Sequence, residues 1–456
     1  MPVEENTLIP GETTAPHTLS FIRECPLIGS LPAFMGKDRL TFLLRVAQQE
    51  DVCGFHMGSL PMILFNKAEH VQSILVEHAY DFSKGRLMHK AMSGNGLFIS
   101  EGEFHRRQRK LIAPVFQPRH IAGYADTIAA YGERLQQEWR DGAIIDLNQG
   151  MIGLTMSVIG KVLFDADVFQ ETDELGAAMA VGFEYTTRKF SSLFSPPLSW
   201  PTLRNRRMRH ATQVVESRIQ ALIDERHSST SERNDFLSIL LQARDEDGTA
   251  MSDQQLMDEC LTLFGAGHET TAAALTWTWY FLCHHPHIYQ QVQQEVDSVL
   301  QGRTPTYDDL ARLPYCLQIF KETMRLYPPA AAILREALHD IEIDGYLVPE
   351  GYTVFLSPYT LQRKAEYFPD PEAFDPDRFL PEREKQLPRY AYIPFGAGPR
   401  ICIGNYFALM EGQLLIAALA QRVSFALLPG QTIEPDPVHN LALRPGGKVR
   451  AVVKKR

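Results

Sequence analysis

Along this chain apolar residues recur mostly at helical spacing and only in two places at strand spacing. Helical periodicity runs through Tyr124 to Trp139, Leu154 to Leu163, Val214 to Arg226 and Met251 to Leu282, and a further helical segment spans Cys316 to Tyr327. Alternation punctuated by Gly and Pro marks short strands from Val52 to Asn66 and from Glu336 to Pro358, the second containing Ile341 to Val348. These strand regions are far apart, so they predict a small sheet built from distant segments. The fold class predicted is mainly α with a minor β portion.

With 456 residues and 45% hydrophobic composition the chain can bury a large core. No low-complexity tract, repeat or long Pro-rich linker divides it, so residues 1–456 read as one unit with a short flexible segment at about 1–20. The net charge of −10 gives no electrostatic reason to expect nucleic-acid binding. Six cysteines, Cys25, Cys53, Cys260, Cys283, Cys316 and Cys402, lie scattered without paired spacing. Neither a disulfide framework nor a zinc site follows, and a reducing cytoplasm fits best. Residues 1–7 carry acids and are followed by Pro10, Pro16 and Pro26, so neither a secretion signal nor a membrane anchor is expected there. The apolar stretch Leu261 to Leu282 contains His268 and Glu269, which are costly in lipid, and reads as a buried helix.

The chemistry concentrates in Phe395-Gly396-Ala397-Gly398-Pro399-Arg400-Ile401-Cys402-Ile403-Gly404, just ahead of the apolar helical run Phe407 to Met410. A thiolate at a helix N-terminus is stabilised by the dipole and by unpaired N–H groups, and glycines let the backbone approach something flat and bulky, for which haem is the natural candidate. Written as F-x-x-G-x-R-x-C-x-G, the segment resembles the haem-binding loop of the cytochrome P450 family at every fixed position. The resemblance extends over nearly the whole chain. It implies the P450 fold, a triangular helix-rich prism with small sheets, and a haem b with Cys402 as axial iron ligand, whose thiolate favours O–O cleavage. Phe395, Gly396 and Gly404 would border the cofactor on that side.

Within the long helix, Ala266-Gly267-His268-Glu269-Thr270-Thr271 places glycine, acid and hydroxyls where pattern asks for core residues. Gly267 weakens the helix by up to about 1 kcal/mol relative to Ala, and threonine hydroxyls can divert backbone carbonyls, so a local widening or kink is expected. The segment resembles the family's A-G-x-[D/E]-T motif. That implies an oxygen-contacting hydroxyl at Thr270, a proton-relay acid at Glu269 and a haem contact at Ala266. O–O cleavage needs protons delivered without premature release of peroxide, hence an alcohol backed by a carboxylate. His268 reads as a packing or solvent-facing residue.

Glu322 and Arg325 share a helix face at i,i+3 spacing. They resemble the family's E-x-x-R, with Arg378 in Phe374-Asp375-Pro376-Asp377-Arg378-Phe379 completing a buried structural network. For the haem propionates the resemblance offers Arg400 and Arg109 first, then Arg335 and His105, histidine standing where the family often has tryptophan. Arg106, Arg107 and Lys110 form either a solvated helix face or a basic patch that receives an acidic electron carrier.

No flavin or iron–sulfur module and no Gly-rich dinucleotide fingerprint is recognised, so NAD(P)H-derived electrons are expected through a reductase and a ferredoxin or flavodoxin. By resemblance the substrate pocket draws on Met88 to Phe98, Phe183 to Leu203, Leu263 to Gly267, Ala330 to Leu334 and Leu441 to Leu443. Its apolar character suits a hydrophobic substrate, a fatty acid or similar lipid ahead of a steroid or terpenoid. Arg188, Lys189, Arg204 and Arg206 either meet a substrate carboxylate or are solvated, and Phe183, Tyr185, Phe190, Phe194 and Trp200 read as lid packing. The function expected is a haem-thiolate monooxygenase inserting one atom of O₂ into a C–H bond. The alternatives are a peroxide-using peroxygenase or isomerase, and a non-catalytic haem sensor.

Overall fold

The structure, a computed structural model, describes residues 17–456 except 23–24, 26–27, 93, 166–176, 179–180, 183, 187, 190–195, 229–234 and 438–441. Helices dominate, as the periodicity predicts. Those that build the site are α1 (Gly102–Ile112), α2 (Ala125–Glu138), α3 (Leu147–Phe164), α4 (Asp253–His284), α5 (Pro314–Leu326) and α6 (Asn405–Arg422). A capping box, in which Ser252 and Gln255 satisfy each other's orphan N–H groups, starts α4. Proline at the first position starts α5.

α4 runs through the middle, packed against α3, α5 and α6, and α2 closes over α3 and α6. Apolar residues surround both α3 and α6, which is why these two are buried on nearly every side. By length and composition α3 could cross a membrane, but two thirds of it is buried inside this core.

The minor β portion is a six-stranded sheet of β1 (Phe21–Ile22), β2 (Val52–Met57), β3 (Leu60–Phe65), β4 (Phe82–Ser83), β5 (Ile333–Ala337) and β6 (Thr353–Leu356) in the order β1-β2-β3-β6-β5-β4. Residues nearly 300 apart pair directly in it, Met62 with Thr353 and Phe65 with Leu356, as the two strand regions predict. Three smaller sheets complete the β portion among the described residues.

Two hydrophobic cores meet at Cys402. Ala391, Ile393 and Ala397, just before it, pack with the sheet. Phe407, Met410 and Leu414, just after it, pack with the helices. The thiol therefore sits on the seam between two packed bodies, and both fix its position.

Candidate functional site

The loop that carries Cys402 is shaped by two left-handed glycines, Gly396 at φ 72° and Gly398 at φ 70°. A side chain at Gly398 would lie 1.7 Å from the carbonyl oxygen of Leu75, so only glycine lets the loop close on that neighbour. The Cys402 N–H donates to the Phe395 carbonyl at 2.9 Å. Burial pushes the thiol pKa up, while the Gly404 N–H donated to it and the positive charge of Arg109 pull it down. Cys402 is open to a cavity of about 740 Å³ whose floor also contains Phe395, Gly396 and Gly404.

Across the cavity α4 presents Ala266, Gly267, Thr270 and Thr271. The expected widening is not there: α4 keeps its α-helical pattern from Asp253 to His284. Gly267 instead lets α3 come close, since a Cβ there would meet Ile159 Cδ1 at 2.8 Å. Two carbonyls of α4 take hydroxyl bonds without leaving the helix. Thr270 Oγ1 donates to Ala266 O at 2.8 Å, and Thr155 of α3 donates to His268 O at 2.9 Å. His268 is a buried packing residue whose Nδ1 lies 2.8 Å from Phe264 O. Glu269 does not line the cavity; it is buried and ion-paired to Arg444 at 3.2 Å. Burial raises its carboxyl to about 7 against the pull of Arg444.

One end of the cavity gathers His105, Arg109, Arg335 and Arg400, as the motifs predict, together with Lys84. Lys84 is pushed down to about 7 by burial and by Arg335 and Arg400, and Arg335 to about 10 by burial and Arg400. His105 falls to about 4 through burial and the surrounding cations, so its imidazole is neutral near pH 7. Glu101 offsets Lys84, Arg335 and Arg400 and is ion-paired to Arg400. One carboxylate against this many cations leaves a site short of negative charge. A flat group with two carboxylates, set above a thiolate, fits both the donor set and the charge deficit. The residues present therefore fit haem.

The structural network forms as the motifs imply. Glu322 and Arg325 are fully buried, with paired bonds of 2.7 and 2.8 Å. Arg378 Nε lies 3.4 Å from Glu322 Oε1 as a charge contact, and its Nη2 donates to Asp370 O at 2.8 Å.

Other expectations change. Arg106, Arg107 and Lys110 are each paired with an acid, Glu103, Asp245 and Glu246 respectively, so the basic patch is neutralised. Trp200 is exposed rather than packed, and Tyr185 is buried. Phe183, Phe190, Phe194 and Leu441 lie outside the described residues, as does most of the segment at about 1–20 expected to be flexible.

Two residues that the sequence reading missed reach the site. Lys84 carries no motif; its only signal is a cation just before a short helix. Glu411 is buried in α6 and hydrogen-bonded to Thr271, which lines the cavity. Its signal in the sequence is an acid inside a mostly apolar helix that also buries Gln413 and Gln421.

Comparison with known proteins agrees with this geometry. The family model described as Cytochrome P450 matches residues 20–449. Cyclooctatin synthase of Streptomyces melanosporofaciens is 36% identical over 92% of each chain. Pentalenene oxygenase of Streptomyces avermitilis is 31% identical over 95% of each chain. The heme domain of cytochrome P450DA superposes with a TM-score of 0.88 at 25% identity, covering 97% of this chain and 99% of that one. With motif, fold and relatives in agreement, this chain belongs to the cytochrome P450 family and is a haem-dependent monooxygenase acting on a hydrophobic substrate.

Proposed function

We propose that this monooxygenase, one catalytic unit over residues 1–456, hydroxylates a cyclic terpenoid. The observation that carries this is the cavity itself, which runs from Cys402 to apolar walls such as Leu263, Ala330, Ala331 and Ile333. Two relatives named for cyclooctatin and pentalenene point to compact ring systems. A fatty acid is less favoured, because three of the four cations offered for its carboxylate, all but Arg206, have other contacts. Arg188 pairs with Glu184 at 2.7 Å, and Lys189 and Arg204 lie over the Tyr185 ring.

The cofactor is haem b, whose iron supplies oxygen activation when bound. Cys402 would hold the iron. Arg400, Arg109, Arg335 and Lys84 would hold the propionates by charge, and neutral His105 would donate an N–H. Thr270 keeps its proton on Ala266 O and leaves its lone pairs to a donor in the cavity. Glu269, whose carboxyl burial raises to about 7, would serve as the proton source behind the cavity face of α4. Glu411 stands behind Thr271 as a second carboxyl. NAD(P)H-derived electrons arrive through a reductase and a ferredoxin or flavodoxin in the cytoplasm.

The experiment is a titration of the ferric protein with cyclic sesquiterpenes and diterpenes, long-chain fatty acids and steroids, reading the Soret shift from low to high spin. A shift confined to the terpenes supports the proposal, and a shift with fatty acids alone overturns it. Cys402→Ala should abolish hydroxylation, and turnover retained in that variant would remove Cys402 as ligand.

A further inference from the structure

One wall of the cavity is a glycine-rich loop, residues 94–98, which carries Leu97 and Phe98 into the lining. A loop with two glycines in five residues would ordinarily sample many positions. Here it is tied to α4 through its backbone. The Asn95 N–H donates to Asp258 Oδ2 at 2.8 Å, and the Leu97 N–H donates to Glu259 Oε2 at 2.8 Å. Both acids come from consecutive positions near the start of α4, one turn before the cavity-lining Thr262 and Leu263. Gln254 holds the other Asp258 oxygen at 3.1 Å, so that carboxylate is oriented before the loop reaches it.

The glycines let the loop lie flat on the helix. A Cβ at Gly96 would stand 2.0 Å from Thr262 Oγ1 and 2.7 Å from the Asp258 carbonyl. Gly94, at φ 82°, turns the chain so that Asn95 faces Asp258. At its other end the segment is fixed to the cofactor side, because Arg400 donates to Ser100 O at 2.7 Å and pairs with Glu101. Leu97 and Phe98 thus lie between an anchor on α4 and an anchor on the propionate-facing cations.

A buried carboxylate inside an apolar helix bundle is costly to keep, and Glu259 is 1% exposed. No step of the proposed chemistry uses it. We propose that Asp258 and Glu259 are positioning residues that latch the 94–98 loop to α4 and so set the shape of the substrate cavity, and with it the size of substrate accepted. This rests on the cavity being the substrate site, and not on the terpenoid assignment. Charge is not what the latch needs: burial already raises the Glu259 carboxyl to about 7, and an uncharged carbonyl oxygen accepts the Leu97 N–H equally well.

The test uses the haem-loaded protein and two nitrogenous haem ligands of different bulk, imidazole and 4-phenylimidazole. Hydrogen exchange across residues 94–98 and the ratio of the two affinities, read from the Soret band, are compared in three variants. Glu259→Met removes the acceptor at similar length, and Gly96→Ala pushes the loop off the helix without touching either acid. Both should speed exchange in the segment about tenfold or more and shift the affinity ratio at least about threefold. Glu259→Gln keeps an acceptor and should leave both readouts near those of the unaltered protein. Unchanged exchange in Glu259→Met, or in Gly96→Ala should the former not fold, overturns the latch. Failure of Glu259→Gln to preserve the loop overturns it also. None of these readouts uses a terpenoid, so a failed substrate titration leaves them standing.

Discussion

Two clusters of buried charge in this protein are built in opposite ways. Around Arg325 every donor is used: Nε and Nη2 bond the two oxygens of Glu322, and the remaining N–H groups bond the carbonyls of Gln362, Pro371 and Ala373. Glu322 also accepts from the Asp375 N–H at 2.9 Å. Around Arg335, by contrast, cations face cations, and burial and mutual repulsion push Lys84, His105 and Arg335 all downward. The first cluster is complete within the protein. The second becomes favourable only when anions arrive, which marks it as a place for a ligand.

The largest effect should come from breaking the completed cluster. Glu322→Ala leaves Arg325 buried without its counter-charge, a loss of about 3–5 kcal/mol. Urea unfolding should show that loss in haem-free and haem-loaded protein alike. If only the loaded form suffers, Glu322 belongs with the cofactor and the contrast between the clusters fails.

The open cluster should respond in the reverse sense. Arg335→Met removes one repelling cation, so the haem-free protein should unfold at the same or higher urea. Haem affinity, measured by transfer to an acceptor haem protein, should fall about 10- to 100-fold, the worth of one charge-assisted bond. Equal destabilisation of both forms would make Arg335 a structural residue like Arg325.

This contrast also marks how far the sequence could be read. Resemblance to the family's motifs singled out Cys402, Thr270, Glu322 and Arg325, and the structure places the first two at the cavity and the last two in a buried pair. Periodicity located the helices because burial of one face is written locally. What it could not supply is the partner from a distant segment. Nothing near Arg107 or Lys110 in sequence announces Asp245 and Glu246, so the choice between a solvated face and a basic patch stayed open. Gly267 read as a helix weakness because Ile159, which needs the space, lies on another helix. Lys84 and Glu411 acquire meaning only when folding sets them beside Arg335 and Thr271.

A smaller effect, on coupling rather than stability, belongs to the cavity face of α4. Thr270→Ala removes the hydroxyl that bonds Ala266 O and should improve helix propensity slightly, so the unfolding midpoint should hold or rise. Product formed per NADPH should nonetheless fall about tenfold, with peroxide in its place, while Thr270→Ser keeps most of the coupling. Unchanged coupling in the alanine variant would take Thr270 out of proton delivery.

Glu411 sharpens the comparison from a third side, because it is a buried acid held neutral rather than paired. One of its oxygens has no hydrogen-bond partner, the group is bonded to Thr271, and burial lifts its pKa to about 8. A folded pKa above the ordinary 4.5 means that the native state binds more protons than the unfolded one across that interval. Its contribution is therefore fully present below pH 4.5 and is lost as pH rises through 8. Glu411→Gln has no proton to lose, so it should remove that part of the slope. Between pH 7 and 8 the unaltered protein should lose about 1 kcal/mol more than the variant in chemical denaturation. Glu259 and Glu269, also raised to about 7, leave a residual slope of the same sign, so only the difference between the two proteins reports on Glu411. Parallel curves from pH 5 to 9 would mean that Glu411 is charged in the fold, and would place it with the paired acids of the Glu322 cluster instead.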